Sequence, residues 1–173
     1  MTATLKARIT HLEMTERPAL SVPVPAGLRL ALMRAGDMPV HYYRYLYEQV
    51  GKKHHWMMRR TQSDSEVAAA IHADTTEIHV LYADGCPAGF VEIDLVAMPE
   101  SAEILYFGLI ADFQGRGLGK FFLSEAIAAA WANGPQKVVI HTNTLDSPRA
   151  LHLYQKMGFS PVGWSEEDVV PWE

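Results

Sequence analysis

Tyr106-Phe107-Gly108-Leu109-Ile110-Ala111-Asp112-Phe113-Gln114-Gly115-Arg116-Gly117-Leu118-Gly119-Lys120 is the stretch whose reading decides the fold. An apolar, β-prone run leads into a turn with alternating glycines at 115, 117 and 119, and the turn opens a helix. Such a turn is an anion cradle. Glycine lets backbone approach a ligand closely and adopt positive φ. The first amides of a helix lack internal partners, and the helix dipole adds partial positive charge there. Arg116 and Lys120 add full charges. Two phosphate motifs fail at this turn. A Walker A loop needs Gly where Gln114 stands and Ser or Thr where Phe121 stands. A dinucleotide fingerprint needs Gly at Lys120 and a parallel crossover unit, whereas this strand follows a hairpin. A nucleotide-binding domain is therefore a poor reading. The plain alternative is a glycine-rich helix start with no ligand.

Outward from the turn, residues 117–133 are Ala-rich and free of Pro, with Leu118, Phe122, Ala126 and Ala130 on one face, which predicts a helix. Asn133-Gly134-Pro135 ends it. Residues 138–141 read as a short buried strand. Residues 148–156 read as a helix with Ser147 as N-cap, Pro148 at its first position and Gly158 after its end. Residues 159–164 form a last strand. Upstream, residues 78–82 and 90–96 predict a β-hairpin around the turn 84–89, and 103–110 follow as a third antiparallel strand. Ser63 and Glu66 have capping-box spacing before a short helix at 67–71. Tyr42, Tyr45, Leu46 and Val50 recur at helical spacing, with Gly51 placed to end that helix. Residues 28–33 read as a strand. Residues 5–14 are expected as an edge strand, followed by breaks at Pro18, Pro23 and Pro25. The fold class is α/β of the mixed α+β kind: one domain over 1–173, with a mostly antiparallel mixed sheet flanked by helices.

Composition bounds the function. The chain has 173 residues, with 15 Lys+Arg against 20 Asp+Glu, and 49% of residues are hydrophobic. That suits one domain with its own core, not a disordered chain. A net charge of −5 disfavours a general polyanion binder, so no nucleic-acid partner is expected. Cys86 is the single cysteine, excluding an internal disulfide. The scattered histidines lack ligand spacing, so no metal is expected. No signal peptide or membrane span is recognised, and a cytoplasmic protein with no membrane partner is expected.

Gln114-Gly115-Arg116-Gly117-Leu118-Gly119 resembles the Q/R-x-x-G-x-G/A signature of the GNAT family of N-acetyltransferases. Ala150-Leu151-His152-Leu153-Tyr154-Gln155-Lys156-Met157-Gly158-Phe159 looks like the family's A-x-x-L-Y-x-K-x-G-F ending. The resemblance covers residues 78–164 in detail and the earlier part by element order, and it implies that 78–164 form the cofactor-binding and catalytic core while 1–77 supply N-terminal strands and acceptor-side helices. It implies acetyl transfer from acetyl-CoA to a primary amine of a small molecule or peptide, by direct attack in a ternary complex. A non-catalytic acyl-CoA sensor on the same fold is the alternative. It also implies that the turn Gln114 to Lys120 holds the pyrophosphate on backbone amides. In the preceding strand, which bulges in this family, Leu109 is the expected amide donor to the acetyl group and Ile110 the next contact. Gly108 is consistent with that bulge. One departure is Ser147, where many members have Asn. Ser147 or the nearby Asn143 is the candidate contact.

Acetyl transfer to an amine requires a neutral amine, a polarised carbonyl and a proton for the leaving thiolate. The resemblance puts the Tyr154 hydroxyl near the cofactor sulfur, as the acid. Glu103 and Glu92, on neighbouring strands, are candidate bases, and His79 is a weaker one. No dedicated base is needed for an amine with a near-neutral pKa. In the acceptor region, residues 40–60, Tyr43 and Trp56 are candidate walls of an amine pocket. Arg59 and Arg60 either meet an acceptor carboxylate or lie on the surface. Cys86 is given no role. Oligomeric state stays open between monomer and homodimer.

Overall fold

A computed structural model describes residues 3–19 and 21–173. Its strands are β1 (Leu5–Met14), β2 (Leu30–Arg34), β3 (Thr76–Ala83), β4 (Cys86–Asp94), β5 (Ser101–Leu109), β6 (Lys137–Asn143) and β7 (Ser160–Val169). The helices are α1 (Val40–Gly51), α2 (Asp64–Ile71), α3 (Leu118–Trp131) and α4 (Ala150–Lys156). All seven strands form one sheet in the order β2-β3-β4-β5-β6-β1-β7. Every pairing is antiparallel except β5 with β6. This is the expected mixed sheet flanked by helices. No helix among the described residues is long and apolar enough to cross a membrane.

Local chemistry explains most elements. Asp84 and Gly85 both have positive φ, 50° and 81°, the requirement of a two-residue type I′ hairpin turn. The turn is thus shorter than the six residues expected, and β4 begins at Cys86. Ser63 and Glu66 close a reciprocal capping box: the Ser63 amide donates to Glu66 Oε2 at 2.7 Å, and the Glu66 amide to Ser63 Oγ at 3.2 Å. The buried stripe of α1 is Tyr43, Leu46, Tyr47 and Val50. It is rotated from the expected one, and Tyr45 stays 45% exposed. The spacing 43, 46, 47, 50 is a better helical stripe than 42, 45, 46, 50.

Two cores lie on opposite faces of the sheet. Leu12, Met14, Val91, Ile104, Val138 and Ile140 pack with Phe122, Leu123 and Ala126 of α3. Tyr43, Leu46 and Tyr47 of α1 and Val67 of α2 pack with Ile78, Val80, Phe90 and Tyr106. Residues 5–14 do form a strand, but not at an edge. β1 lies between β6 and β7, pairing Leu12 with Ile140 on one side and Ile9 with Ser165 on the other. β7 extends to Val169 rather than stopping at Trp164, because β1 supplies a partner along its length.

The parallel pair β5–β6 is short. It holds from Ser101–Lys137 to Ile104–Ile140 and then stops. A register shift against β4 follows at once: Ile93 faces Ile104, while Glu92 faces Tyr106. Leu105 is therefore the extra residue of a β-bulge. The bulge reverses the facing of β5. Ile104 points into the α3 core, whereas Tyr106 points into the α1 core. The bulge expected at Gly108 is thus three residues earlier. Gly108 itself is in register with Phe90. A Cβ there would run into Val50 Cγ1, so glycine serves the close approach of α1.

Candidate active site

Beyond Ile104 and Ile140, β5 and β6 separate, and a cavity of about 410 Å3 opens between them. Its walls come from both strands, the turn after β5, α4, the segment after α1, and β7.

The end of β5 offers backbone donors. The Ile110 amide donates to the Ala88 carbonyl at 2.8 Å. In an antiparallel ladder bonded and non-bonded pairs alternate. Leu109 opposite Gly89 and Phe107 opposite Val91 are then non-bonded pairs, and their amides point away from β4 into the gap toward β6. Leu109 keeps the expected position at the cavity. Ile110 does not: its amide is taken by Ala88, and its side chain is 3% exposed in the α1 core.

The glycine turn has the positive-φ backbone and the helix start its sequence predicts. Gly115 and Gly117 have φ of 77° and 75°. A Cβ built on either would meet nothing within 4 Å, so the surface above them is open. Gly117 is the N-cap of α3, and no side chain caps its amides. Gln114 and Gly119 line the cavity, and Gln114 Nε2 donates to the Leu109 carbonyl at 3.4 Å. Arg116 stacks on Phe113, with Cζ 5.4 Å from the ring centre. Leu118 is buried in the core, leaving its backbone at the helix start, and Lys120 follows in the first turn of α3.

Across the gap, Asn143 and Ser147 line the cavity together with Asp146 and Arg149. Asn143 Oδ1 accepts from the amides of Leu145 at 2.8 Å and Asp146 at 3.1 Å, which shapes the loop after β6. Ser147 Oγ accepts from the Arg149 amide at 3.4 Å. α4 starts at Ala150, two residues later than expected, with Ser147 and Pro148 in the preceding turn. Tyr154 of α4 lines the cavity and is 7% exposed. Burial pushes its phenol well above the usual tyrosine value, and Asp146 adds to the effect. The phenol therefore stays protonated through the working pH range.

The candidate bases separate. Glu92 is 1% exposed and absent from the cavity wall. Its Oε2 is 2.5 Å from Arg59 Nη2, and its Oε1 accepts from the Tyr43 hydroxyl at 2.5 Å. Both oxygens are thus occupied by protein partners. Tyr43 is likewise fully buried, so it is a partner of Glu92 rather than a pocket wall. Arg59 is neither surface charge nor acceptor ligand. Arg60 donates to the Val170 carbonyl at 2.6 Å. His79 pairs with Glu77 at 3.3 Å, away from the cavity. Glu103 lies behind the cavity wall, with Oε1 3.5 Å from His141 Nδ1, and it is His141 that faces the cavity.

Trp56 lines the cavity. Its ring lies 4.9 Å from Tyr106 and 5.4 Å from Tyr47, centre to centre. Gly51 makes room for it, since a Cβ there would overlap the indole. The chain end braces this loop: Trp172 Nε1 donates to the Trp56 carbonyl at 2.6 Å, and the Trp172 amide to His55 Nδ1 at 3.2 Å. His54 bridges the gap, with Nδ1 3.1 Å from the Leu145 carbonyl. His54, His55, His141 and Glu167 were not singled out by sequence reading. A usable signal existed for His141: Val139, His141 and Asn143 alternate with the apolar Val138 and Ile140.

Residues 39–159 match the acetyltransferase (GNAT) family, and the chain belongs to that family, whose activity is acetyl transfer. Over 159 residues it is 26% identical to a mycothiol acetyltransferase of Beutenbergia cavernae, a match that spans 90% of this chain and 53% of the relative. The chain thus spans about half the length of that curated relative. Among solved structures, a GNAT-family acetyltransferase from Novosphingobium aromaticivorans has a TM-score of 0.65 at 16% identity, covering 99% of this chain and 67% of its own. A spermidine/spermine N-acetyltransferase from Vibrio cholerae has a TM-score of 0.60 at 19% identity, covering 78% and 82%. These likenesses establish the fold.

Proposed function

We propose that this chain transfers an acetyl group from acetyl-CoA to a primary amine of a small molecule or peptide, by direct attack in a ternary complex. The observation that carries the reading is the convergence on one gap of the Leu109 amide, Gln114 and Gly119 at the two ends of the open glycine turn, and Tyr154. These residues fit the donor: open glycines and uncapped helix amides suit a pyrophosphate, and free strand amides suit the amide-rich pantetheine arm. Bound there, acetyl-CoA would supply an activated acyl thioester. Gln114 to Lys120 hold the anion, Phe107 and Leu109 accept the arm as an added strand would be accepted, and Asn143 or Ser147 flanks it. The Leu109 amide polarises the carbonyl, and Tyr154 gives its proton to the leaving sulfur.

Trp56 with the apolar side chains around it would form one wall of the acceptor pocket, and Glu167 with Asp146 supplies negative charge. That combination suits a cationic amine. An amine acceptor agrees with the spermidine/spermine relative and with an aminoglycoside acetyltransferase of TM-score 0.57 at 14% identity, covering 74% of this chain and 86% of its own. A purely binding module would not need a phenol on the cavity wall. The test is calorimetric titration of acetyl-CoA, then thiol release with a panel of primary amines. Acetyl-CoA that neither binds nor raises the melting temperature would sink the reading.

A further inference from the structure

The two strands that part to form the cavity also bring a histidine and a carboxylate together across their seam. Glu103 on β5 and Val139 on β6 are register partners, so His141 stands one step up the same face of β6. His141 Nδ1 lies 3.5 Å from Glu103 Oε1. Its side chain is 33% exposed and lines the cavity that Tyr154 also lines. With Nδ1 turned to the carboxylate, Nε2 is left for the cavity. The carboxylate fixes the tautomer with the proton on Nδ1, so Nε2 carries a lone pair.

We propose that His141, positioned by Glu103, is the base that takes the proton from the acceptor amine, an inference that rests on the acetyl-transfer reading above. The amine lone pair forms the C–N bond as His141 Nε2 removes an N–H proton. The C–S bond breaks with its electron pair on sulfur, and Tyr154 protonates the sulfur. Water then carries the imidazolium proton back to the tyrosinate, which balances the cycle. Glu103 does not touch the amine; it is a positioning residue that also stabilises the imidazolium. Glu92, the other strand carboxylate, has no such access.

The surroundings of the imidazole decide its working range. Glu103 faces it from β5, His11 of β1 lies 6.5 Å away ring to ring, Glu167 approaches from β7 and Asp146 from the loop after β6. His54, His55, Arg149 and Tyr154 share the cavity. The hydrogen bond that Glu103 accepts from the ring is the main influence and raises the His141 pKa above its ordinary value; burial opposes it, and the charges of Glu103, Asp146 and Glu167 add to the rise. A base must be neutral to act, so the acid limb of the rate profile should be displaced upward from the ordinary histidine value.

The experiment compares wild type, His141→Gln and Glu103→Gln in the full chain. Acetyl-CoA affinity is read by calorimetry, and thiol release is followed with spermidine, glucosamine and phenylethylamine. His141 ring signals are followed by NMR through a pH titration without any acceptor. His141→Gln should bind acetyl-CoA as wild type does, lose about 100-fold or more in kcat, and lose the acid limb. Glu103→Gln should move both the acid limb and the His141 NMR midpoint to lower pH. A His141→Gln enzyme with wild-type rate and profile overturns the inference, as does a His141 midpoint that Glu103→Gln leaves in place. Wild type that fails to bind acetyl-CoA overturns the acetyltransferase reading, and this base with it.

Discussion

Arg59 and Glu92 form an ion pair shut away from solvent, with Nη2 2.5 Å from Oε2 and side chains 8% and 1% exposed. The Tyr43 hydroxyl, kept protonated chiefly by burial, completes the group by donating to the second carboxylate oxygen. Removing one member leaves an uncompensated charge inside the fold. Glu92→Ala should therefore cost about 3–5 kcal/mol in urea unfolding. Replacing both partners, as Arg59→Met with Glu92→Leu, should recover much of that loss. Equal stability of Glu92→Ala and wild type would show that the pair does not anchor α1 to the sheet.

Tyr154→Phe keeps the ring that packs against Phe159 at 6.2 Å and removes only the hydroxyl. Acetyl-CoA binding should be unchanged, and kcat should fall about 100-fold or more if the phenol protonates the leaving sulfur. Rapid-mixing assays with the best amine of the panel would read this. A full rate in the variant would remove the phenol from the chemistry.

Gly117 caps α3 at φ of 75°, in a conformation that costs an L-residue about 1–2 kcal/mol. Gly117→Ala should lose about that much stability. It should also weaken acetyl-CoA binding, because the added methyl enters the open space above the turn. Gly117→Glu should abolish binding, since it adds a negative charge where an anion has to sit. Calorimetry on both variants gives the answer, and unchanged affinity would move the pyrophosphate elsewhere.

The Glu103–His141 contact also predicts a pH-dependent stability. The His141 pKa is raised in the fold, so the folded protein binds that proton more tightly than the unfolded chain. The stabilisation is complete below the unfolded value, about pH 6.5, and disappears as pH rises through the raised value. Wild type should thus exceed Glu103→Gln most at about pH 5 to 6.5, and the difference should shrink toward pH 8 to 9. Chemical denaturation across that range would show it, and a constant gap would contradict it.

Trp56 depends on the absence of a side chain at Gly51. Gly51→Ala should cost about 1–3 kcal/mol by overpacking and should displace the indole from Tyr106. A shift in tryptophan emission, together with a raised KM for the amine and an unchanged affinity for acetyl-CoA, is the expected outcome.

Most of the local structure could be read from the sequence, because its causes lie within a few residues. The Ser63–Glu66 cap, the Asp84-Gly85 turn and the Gly-rich start of α3 each carry their own explanation. The turn at 114–120 and the helix that carries Tyr154 could be read for the same reason. What could not be read depends on partners distant in sequence. The extra residue at Leu105 is defined only by its pairing with β4. The isolation of Glu92 from the gap depends on Arg59, and Arg59 on the packing of the α1 region. His141 becomes notable only once β5 lies beside β6. Ile110 was misplaced because no sequence pattern says which amide a ladder has already taken.

The interior position of β1 has a consequence for how the molecule is made. Leu5 pairs with Val169 and Ile9 with Asn143, so β1 waits for β7 and β6, which follow it by more than 120 residues. Pairings at such separation in sequence form slowly, since loop closure precedes any gain from contact. The hairpin β3–β4 can assemble on the nascent chain, but the half of the cleft built by β6 and β7 cannot be finished until residues 137–169 have been made. Until then β1 has neither neighbour, and its exposed edges are the point at which aggregation or a chaperone would intervene.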